Sequence, residues 1–382
     1  MIPFNKPYST GKETEYILDS IASGKISGNG KYTKKCHAFF EENYGFKKCL
    51  LTTSCTDALE MASILINIQP GDEVIMPSYT FVSTANAFVL RGAKIIFADS
   101  RKDHPGMDES AIEALITKKT KAIVPVHYAG VSCDMDKIMK IANKYNLFVI
   151  EDAAQAIDSF YTGKDGVKKA LGSIGHLAAF SFHETKNIIS GEGGMLAIND
   201  SQFIDRAEII WEKGTNRSAF FRGEVAKYGW VDVGSSFLPS DIIAAYLFAQ
   251  LEKINFIQDT RKKIWNAYSA AFKGVINKQN GVQLPFVDTY ATNNAHMYYF
   301  VCKDSTQRKN LLTHLKTKGI LAVFHYLSLH KSSFYEGQYN GENLDATDYY
   351  SDCLVRLPLF VTLSAGQQEF IIKEVLAFFD NE

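Results

Sequence analysis

The sequence is informative first through what it lacks. Its formal net charge is −1 and no run of lysine and arginine stands out, which argues against a nucleic-acid binder. An anionic small ligand would have to be met by local positive groups. The six cysteines, Cys36, Cys49, Cys55, Cys133, Cys302 and Cys353, form no CxxC pair. That leaves neither a zinc-ligand spacing nor a disulfide framework, and predicts reduced thiols in a cytoplasmic protein. No stretch approaches the roughly 20 apolar residues of a membrane span. The opening Met1-Ile-Pro-Phe-Asn-Lys6 has no apolar core of the signal-peptide kind, so a soluble chain is expected. Internal repeats and low-complexity tracts are missing as well.

What is present is ordinary globular material, with 46% hydrophobic and 22% charged residues. At roughly 150 residues per domain, 382 residues suggest two domains. From about 48 to 200, short apolar runs alternate with helical patterns. Strands are expected over 48–52, 73–76, 93–97, 122–127, 147–150, 178–182 and 194–198, and helices over 57–66, 81–90 and 135–145. This alternation indicates an α/β fold, a mostly parallel sheet with helices on both faces. One long helix is expected over 238–256. Beyond 260, helices near 260–272 and 307–318 and a strand at 297–301 suggest a smaller α+β unit, so the expected division is 1–255 and 256–382.

Lys186 carries the most chemistry. It lies in Ser181-Phe-His-Glu-Thr-Lys186-Asn187, just before Gly191-Glu-Gly-Gly194, where small residues allow close backbone approach to a ligand. Asp152 stands in Glu151-Asp-Ala-Ala-Gln155 at the end of an apolar run. A lysine and an acid at strand ends are what pyridoxal phosphate (PLP) requires. The amine holds the cofactor aldehyde as a Schiff base, and the acid keeps the pyridine nitrogen protonated. Asp152 is equally placed to cap a following helix, and Gln155, three residues on, either shares the ligand or faces solvent. Thr52-Thr-Ser-Cys-Thr-Asp57 joins a strand to a helix whose N-terminus suits a phosphate, with Cys55 and Thr56 as contacts and Ser181 within reach. Tyr79 and Phe81 are candidate aromatic covers for a flat ring. Among the scattered histidines His127, His183, His296, His325 and His330, the group Phe324-His-Tyr326 with His330 is placed to bring polar groups of the C-terminal unit to the cleft.

Together these segments resemble the DegT/DnrJ/StrS family of sugar aminotransferases, across nearly the whole chain. The resemblance rests on PVHYAG at 125–130, EDAAQ at 151–155, SFHETKN at 181–187, GEGG at 191–194 and KGTNR at 213–217. GSSFLPSD at 234–241, HMYY at 296–299, FHYLSLH at 324–330 and RLPLF at 356–360 extend it. It implies fold type I of the PLP enzymes, the fold of aspartate aminotransferase, with Lys186 bonded to PLP and Asp152 on the pyridine nitrogen. Gln155 is implied on the ring hydroxyl, Phe81 on the ring face, and Cys55, Thr56 and Ser181 on the phosphate. It also implies a homodimer in which 234–241 reaches the neighbour's phosphate; Ser236 stands where the family usually has asparagine, which weakens that contact. Retention of lysine at 186 speaks against the family's dehydratase branch, which carries histidine there. SGNGKYTKKC at 27–36 and EKGTNRSAFFRG at 212–223 carry a closer resemblance within that family, which implies amination at C4 of dTDP-4-dehydro-6-deoxy-D-glucose, with L-glutamate as donor. His325, Tyr326 and His330 become candidate substrate contacts, and Lys213, Arg217 and Arg222 candidate partners of the pyrophosphate. The alternatives are a C3-keto dTDP sugar, a GDP-4-keto-6-deoxymannose acceptor, a PLP lyase or racemase, and a non-catalytic binding protein.

Overall fold

A computed structural model describes residues 1–274 and 281–380. Its strands are β1 (Lys48–Thr52), β2 (Glu73–Pro77), β3 (Lys94–Ala98), β4 (Thr120–Ile123), β5 (Phe148–Asp152), β6 (Phe160–Thr162), β7 (Lys168–Ala170), β8 (Leu177–Ser181), β9 (Gly194–Ile198), β10 (Tyr298–Val301) and β11 (Leu354–Leu357). Seven of them form one sheet in the order β1-β9-β8-β5-β4-β2-β3. Only β9 runs against the rest, pairing antiparallel with β1 and β8. The other six therefore end on one edge of the sheet, where open α/β folds bind their ligands.

The strands read as continuous apolar runs because both faces are covered. Alternate residues divide between two cores, as the period of two requires. Leu51, Ile75, Ile123 and Val149 pack under the helices Lys31–Tyr44, Met135–Tyr145 and Asp241–Leu251. Leu50, Val74, Ala122 and Ile150 pack under Cys55–Leu65, Val82–Val89 and Ile204–Trp211. A third core joins β10 and β11 to the helices Ser305–Thr317 and Ala365–Asp380, and takes in Tyr79 and Tyr128 from the sheet side.

Two expectations are corrected. The strand expected over 122–127 closes at Ile123, because Pro125 has no N–H to give to the ladder. Val126 still bridges Asp152, so the chain stays extended as far as the site. The single helix expected over 238–256 is two helices, Asp241–Leu251 and Ile254–Phe272. Pro239 precedes the first, and Lys253 leaves helical geometry between them with φ −113° and ψ 14°. Neither Glu252 nor Lys253 is a helix breaker by type, so composition carried no sign of the break. The second helix sends Ile257 into the first core and Tyr268 into the third.

Asp241 secures the junction between these elements. Helix Lys31–Tyr44 begins on Gly30, which has no side chain to cap it. Fully buried Asp241 does so from another helix: Oδ1 accepts from the Thr33 N–H and hydroxyl, each at 2.9 Å, and Oδ2 from the Tyr32 N–H at 3.2 Å. A Cβ at position 30 would lie 2.4 Å from the Asp241 carboxyl carbon, so only glycine fits. Asp241→Ala leaves these buried donors unpaired and is expected to lower unfolding free energy by about 3 kcal/mol. Equilibrium urea denaturation measures this, and an unchanged midpoint would contradict the capping role.

Candidate active site

A cavity of about 500 Å³ opens at the carboxyl edge of the sheet. Lys186, Asp152, Gln155, Cys55, Thr56, Ser181, Phe81, His325 and Tyr326 all line it. Asp152 ends β5 and Ser181 ends the adjacent β8. The loop that follows β8 is closed by Phe182 N–H to the Gly193 carbonyl at 2.8 Å and Ser190 N–H to the Phe182 carbonyl at 2.7 Å. Lys186 sits inside this loop. Its neighbour Asn187 ties the loop down, giving its amide N–H groups to Gln258 and to the Asn294 carbonyl and bonding His296 Nδ1 at 2.9 Å.

No helix follows Asp152, so the capping alternative does not apply. The chain turns, and the carboxylate is nearly buried, accepting from Thr84 Oγ1 at 2.7 Å and from the Ala154 N–H at 3.1 Å. Gln155 is likewise in a turn and faces the cavity rather than solvent. It accepts from the Ala129 N–H at 2.7 Å and donates to Tyr326 Oη at 3.1 Å. The helix Cys55–Leu65 points its N-terminus at the cavity, capped by Ser54 through the Asp57 N–H, and Thr56 Oγ1 donates to Ser83. Gly194 makes this approach possible, since a Cβ there would lie 2.3 Å from the Ser54 carbonyl carbon. The glycine run thus admits the protein's own backbone at the start of this helix.

Burial holds the Lys186 ammonium below the ordinary lysine range; Cys55 and Asp152 oppose this shift and Arg356 reinforces it. His325 is pushed down to about 4 by burial, then by the charges of Arg356 and Lys186, and His296 is held well below its usual value by the same kinds of cause. Near neutral pH the cavity therefore presents uncharged imidazoles beside a basic amine. His127 lines the cavity, but its ring is engaged elsewhere. Its Nε2 bonds Glu151 Oε2 at 2.8 Å, and both side chains are fully buried. Glu151 also accepts from the N–H groups of Gly172, Ile174 and Gly175.

Other anticipated residues lie elsewhere. Tyr79 is buried and does not cover the cavity; its hydroxyl and that of Tyr128 donate to the His325 carbonyl, fixing the 325–326 segment against the sheet domain. His330 is absent from the cavity wall, being held by Ser78 Oγ at 2.8 Å with Asp348 at 3.5 Å. Lys213 and Arg217 are exposed outside it, Arg222 pairs with Glu208 and Glu224, and exposed Ser236 pairs its backbone with Glu212. Arg356, Phe4, Ser83 and Thr84 line the cavity without having been singled out from the sequence. A lone arginine inside the apolar run 354–360 was the available signal for Arg356; Thr84, within a plain helical pattern, offered none.

The pattern of the DegT/DnrJ/EryC1/StrS aminotransferase family matches residues 7–376. The chain is 32% identical to the spore coat polysaccharide biosynthesis protein SpsC of Bacillus subtilis over 384 residues, covering 98% of this chain and 96% of that protein. It is 32% identical to the GDP-perosamine synthase of Escherichia coli O157:H7 over 388 residues, covering 100% and 99%. The fold matches the PLP form of Spr1654 from Streptococcus pneumoniae with a TM-score of 0.89 at 25% identity, covering 100% of this chain and 99% of that one.

The underside of the site is open to a direct test. Burial alone pushes the Glu151 carboxyl up, but the His127 hydrogen bond and the Gly175 and Gly172 N–H groups outweigh it and hold it below the ordinary range. Glu151→Leu strands these partners and is expected to cost about 3–5 kcal/mol near neutral pH. A depressed carboxyl stabilises only while ionised. The deficit should therefore shrink as pH falls from the ordinary value of 4.5 through the lower native one. Urea titrations of both proteins across that range measure it, and a deficit that grows on acidification would rule this account out.

Proposed function

The chain belongs to the DegT/DnrJ/EryC1/StrS aminotransferase family, and from that premise we propose that it moves the amino group of L-glutamate to C4 of dTDP-4-dehydro-6-deoxy-D-glucose. The products are 2-oxoglutarate and dTDP-4-amino-4,6-dideoxy-D-galactose, a precursor for a cell-surface polysaccharide of the enterobacterial common antigen kind. PLP is the cofactor. The observation that carries the assignment is the convergence of Lys186 and Asp152 on one cavity from neighbouring strand ends. SpsC, a spore coat polysaccharide biosynthesis protein, supports the surface-polymer setting. The full-length similarity to GDP-perosamine synthase favours, as a second reading, a GDP-linked 4-keto sugar as acceptor.

The residues fit the cofactor: a buried amine, a carboxylate held by Thr84 and Ala154, and a helix N-terminus set in one cavity. When bound, PLP supplies an aldehyde that captures amines and a ring that takes up the electron pair released at the donor α-carbon. Asp152 would hold the ring nitrogen, Gln155 the ring hydroxyl and Phe81 one ring face. Cys55, Thr56 and Ser181 would hold the phosphate. Lys186 Nζ accepts the proton from the donor α-carbon and later delivers one to the sugar carbon from the same side, which sets the configuration of the product. Its depressed pKa suits it to the first of these tasks. His325 and Tyr326 stand on the wall that the acceptor sugar meets.

A homodimer belongs to this proposal. Phe221, Tyr228, Trp230, Val231 and Val233 are all exposed on the segment 217–236, Trp230 to 84%. Such a surface suits a partner subunit, and Ser236 and Arg217 on the same segment, with Lys213 just before it, would then face the neighbour's site.

A panel of dTDP- and GDP-linked 3-keto and 4-keto sugars, incubated with PLP and L-glutamate and read by mass spectrometry and NMR, tests the acceptor. Amination at C4 of the dTDP substrate is expected, and a C3 amine or a GDP product would replace this reading. Lys186→Ala should bind PLP without a borohydride-reducible link and lose turnover by about 10³-fold or more. Mixing Lys186→Ala with Ser236→Trp subunits should restore about a quarter of wild-type activity if sites are shared across a dimer; no recovery would exclude that arrangement.

A further inference from the structure

His296 stands two residues before β10, on the wall of the cavity, and is only 5% exposed. Its N–H donates to Asn294 Oδ1 at 3.0 Å, and buried Arg261 donates to its carbonyl at 2.7 Å. The ring is fixed as well, and the bonds around Asn187 decide its tautomer. The Asn294 carbonyl can only accept, so the Asn187 atom 2.9 Å from it is Nδ2. Gln258 takes the second N–H of that amide at 2.9 Å. Asn187 Oδ1 is left facing His296 Nδ1 at 2.9 Å, and an oxygen there requires Nδ1 to carry the proton. Burial, then the charges of Lys186, Arg356 and Arg261, hold His296 well below its usual value, so the ring is neutral near neutral pH. Nε2 is therefore a bare acceptor on the ring edge away from Asn187, without a partner among the described residues.

We propose that His296 Nε2 accepts a hydrogen bond from the Lys186 amine once that amine is free of the cofactor, an inference that rests on the transaminase reading of this site. The residue that binds Nδ1 is Asn187, next to Lys186 in the chain, so one short tether sets ring and lysine side by side. Among the charges acting on His296, that of Lys186 is the largest. The other cation on this wall, Arg356, already gives a terminal nitrogen to His325 Nδ1. A neutral amine has two N–H bonds and one lone pair, carried here on a long flexible stem. Donating one N–H to a fixed acceptor removes most of that freedom and leaves the lone pair to meet the donor α-carbon. The proton that arrives makes Nζ an ammonium, which the same acceptor holds more strongly until the proton passes to the next carbon. His296 exchanges no proton in either step; it is a positioning residue for Lys186.

Two variants separate the two ring nitrogens. His296→Asn places an amide N–H near the position of Nδ1, keeping the tie to Asn187 while removing the acceptor. His296→Gln reaches the position of Nε2 and abandons the tie. In His296→Asn holoenzyme the rate at which L-glutamate bleaches the yellow cofactor should fall about 10- to 100-fold, with a larger isotope effect from α-deuterated L-glutamate. The half-saturating concentration should change less than about twofold. His296→Gln should recover part of the rate. A purely structural role predicts the opposite order, asparagine near wild type and glutamine impaired, and that order overturns the proposal. The apoprotein gives a second reading, independent of turnover. Acetic anhydride labelling of Lys186 against pH, read by peptide mass, gives the midpoint at which its ammonium ionises; Cys55, Asp152 and Arg356, which also act on this amine, stay in place. Loss of an acceptor disfavours the ammonium, so the midpoint in His296→Asn should fall by about half to one pH unit. An unchanged midpoint overturns the proposal, and this reading decides alone if the glutamine variant does not fold. A wild type that bleaches with no L-amino acid refutes instead the transaminase reading beneath it.

Discussion

The buried amine of Lys186 is the constraint to which the rest of the site answers. Taking an ammonium out of water is costly, so burial favours the neutral form, which is the nucleophile and base. A partner carboxylate too close would cancel that effect. Asp152 is near enough to pull the amine back in part, but its oxygens are occupied by Thr84 and the Ala154 N–H. The carboxylate is thereby held by its own partners rather than by the lysine. Parallel strands make this separation simple, because β5 and β8 deliver the two groups from adjacent ends without a direct contact.

The sheet, its order of apolar runs and the two residues at its edge were legible because each rests on local pattern. A strand buried on both faces must be apolar, and a charged residue at its end stands out. Tyr79 was ambiguous, since a tyrosine beside a cleft serves equally as ring cover or anchor. Its hydroxyl found a backbone carbonyl 246 positions away, a pairing no local window reveals. The break at Lys253 was hidden for a related reason: it follows from where Ile257 and Tyr268 must pack, not from the breaking residues themselves. His330 shows the reverse case. Proximity to His325 in sequence suggested shared work, yet its ring is spent on Ser78 and Asp348, holding the C-terminal segment to the sheet domain.

The Gly191-Glu-Gly-Gly194 run allows two close approaches: Glu192 and Gly193 line the cavity, and Gly194 admits backbone of the protein itself. Small residues do permit close approach here, but what approaches Gly194 is the Ser54–Cys55 backbone. The consequence for chemistry is indirect. With β9 pressed against the start of helix Cys55–Leu65, the helix dipole and its leading N–H groups are held at a fixed distance from the Lys186 loop. The helix start and the Lys186 loop are thereby both tied to the same sheet.

The outer wall is built on a different principle. His325 and Tyr326 belong to the C-terminal unit, but the hydroxyls of Tyr79 and Tyr128 pin the His325 carbonyl and Gln155 engages Tyr326. An enzyme that takes two dissimilar substrates in turn at one lysine must place the reacting carbon of each at the same point. It can tell them apart only through groups lying at different distances from that point. Arg356, nearly buried beside His325 in the cavity wall, and the exposed Lys213 and Arg217 outside the cavity lie at such different depths.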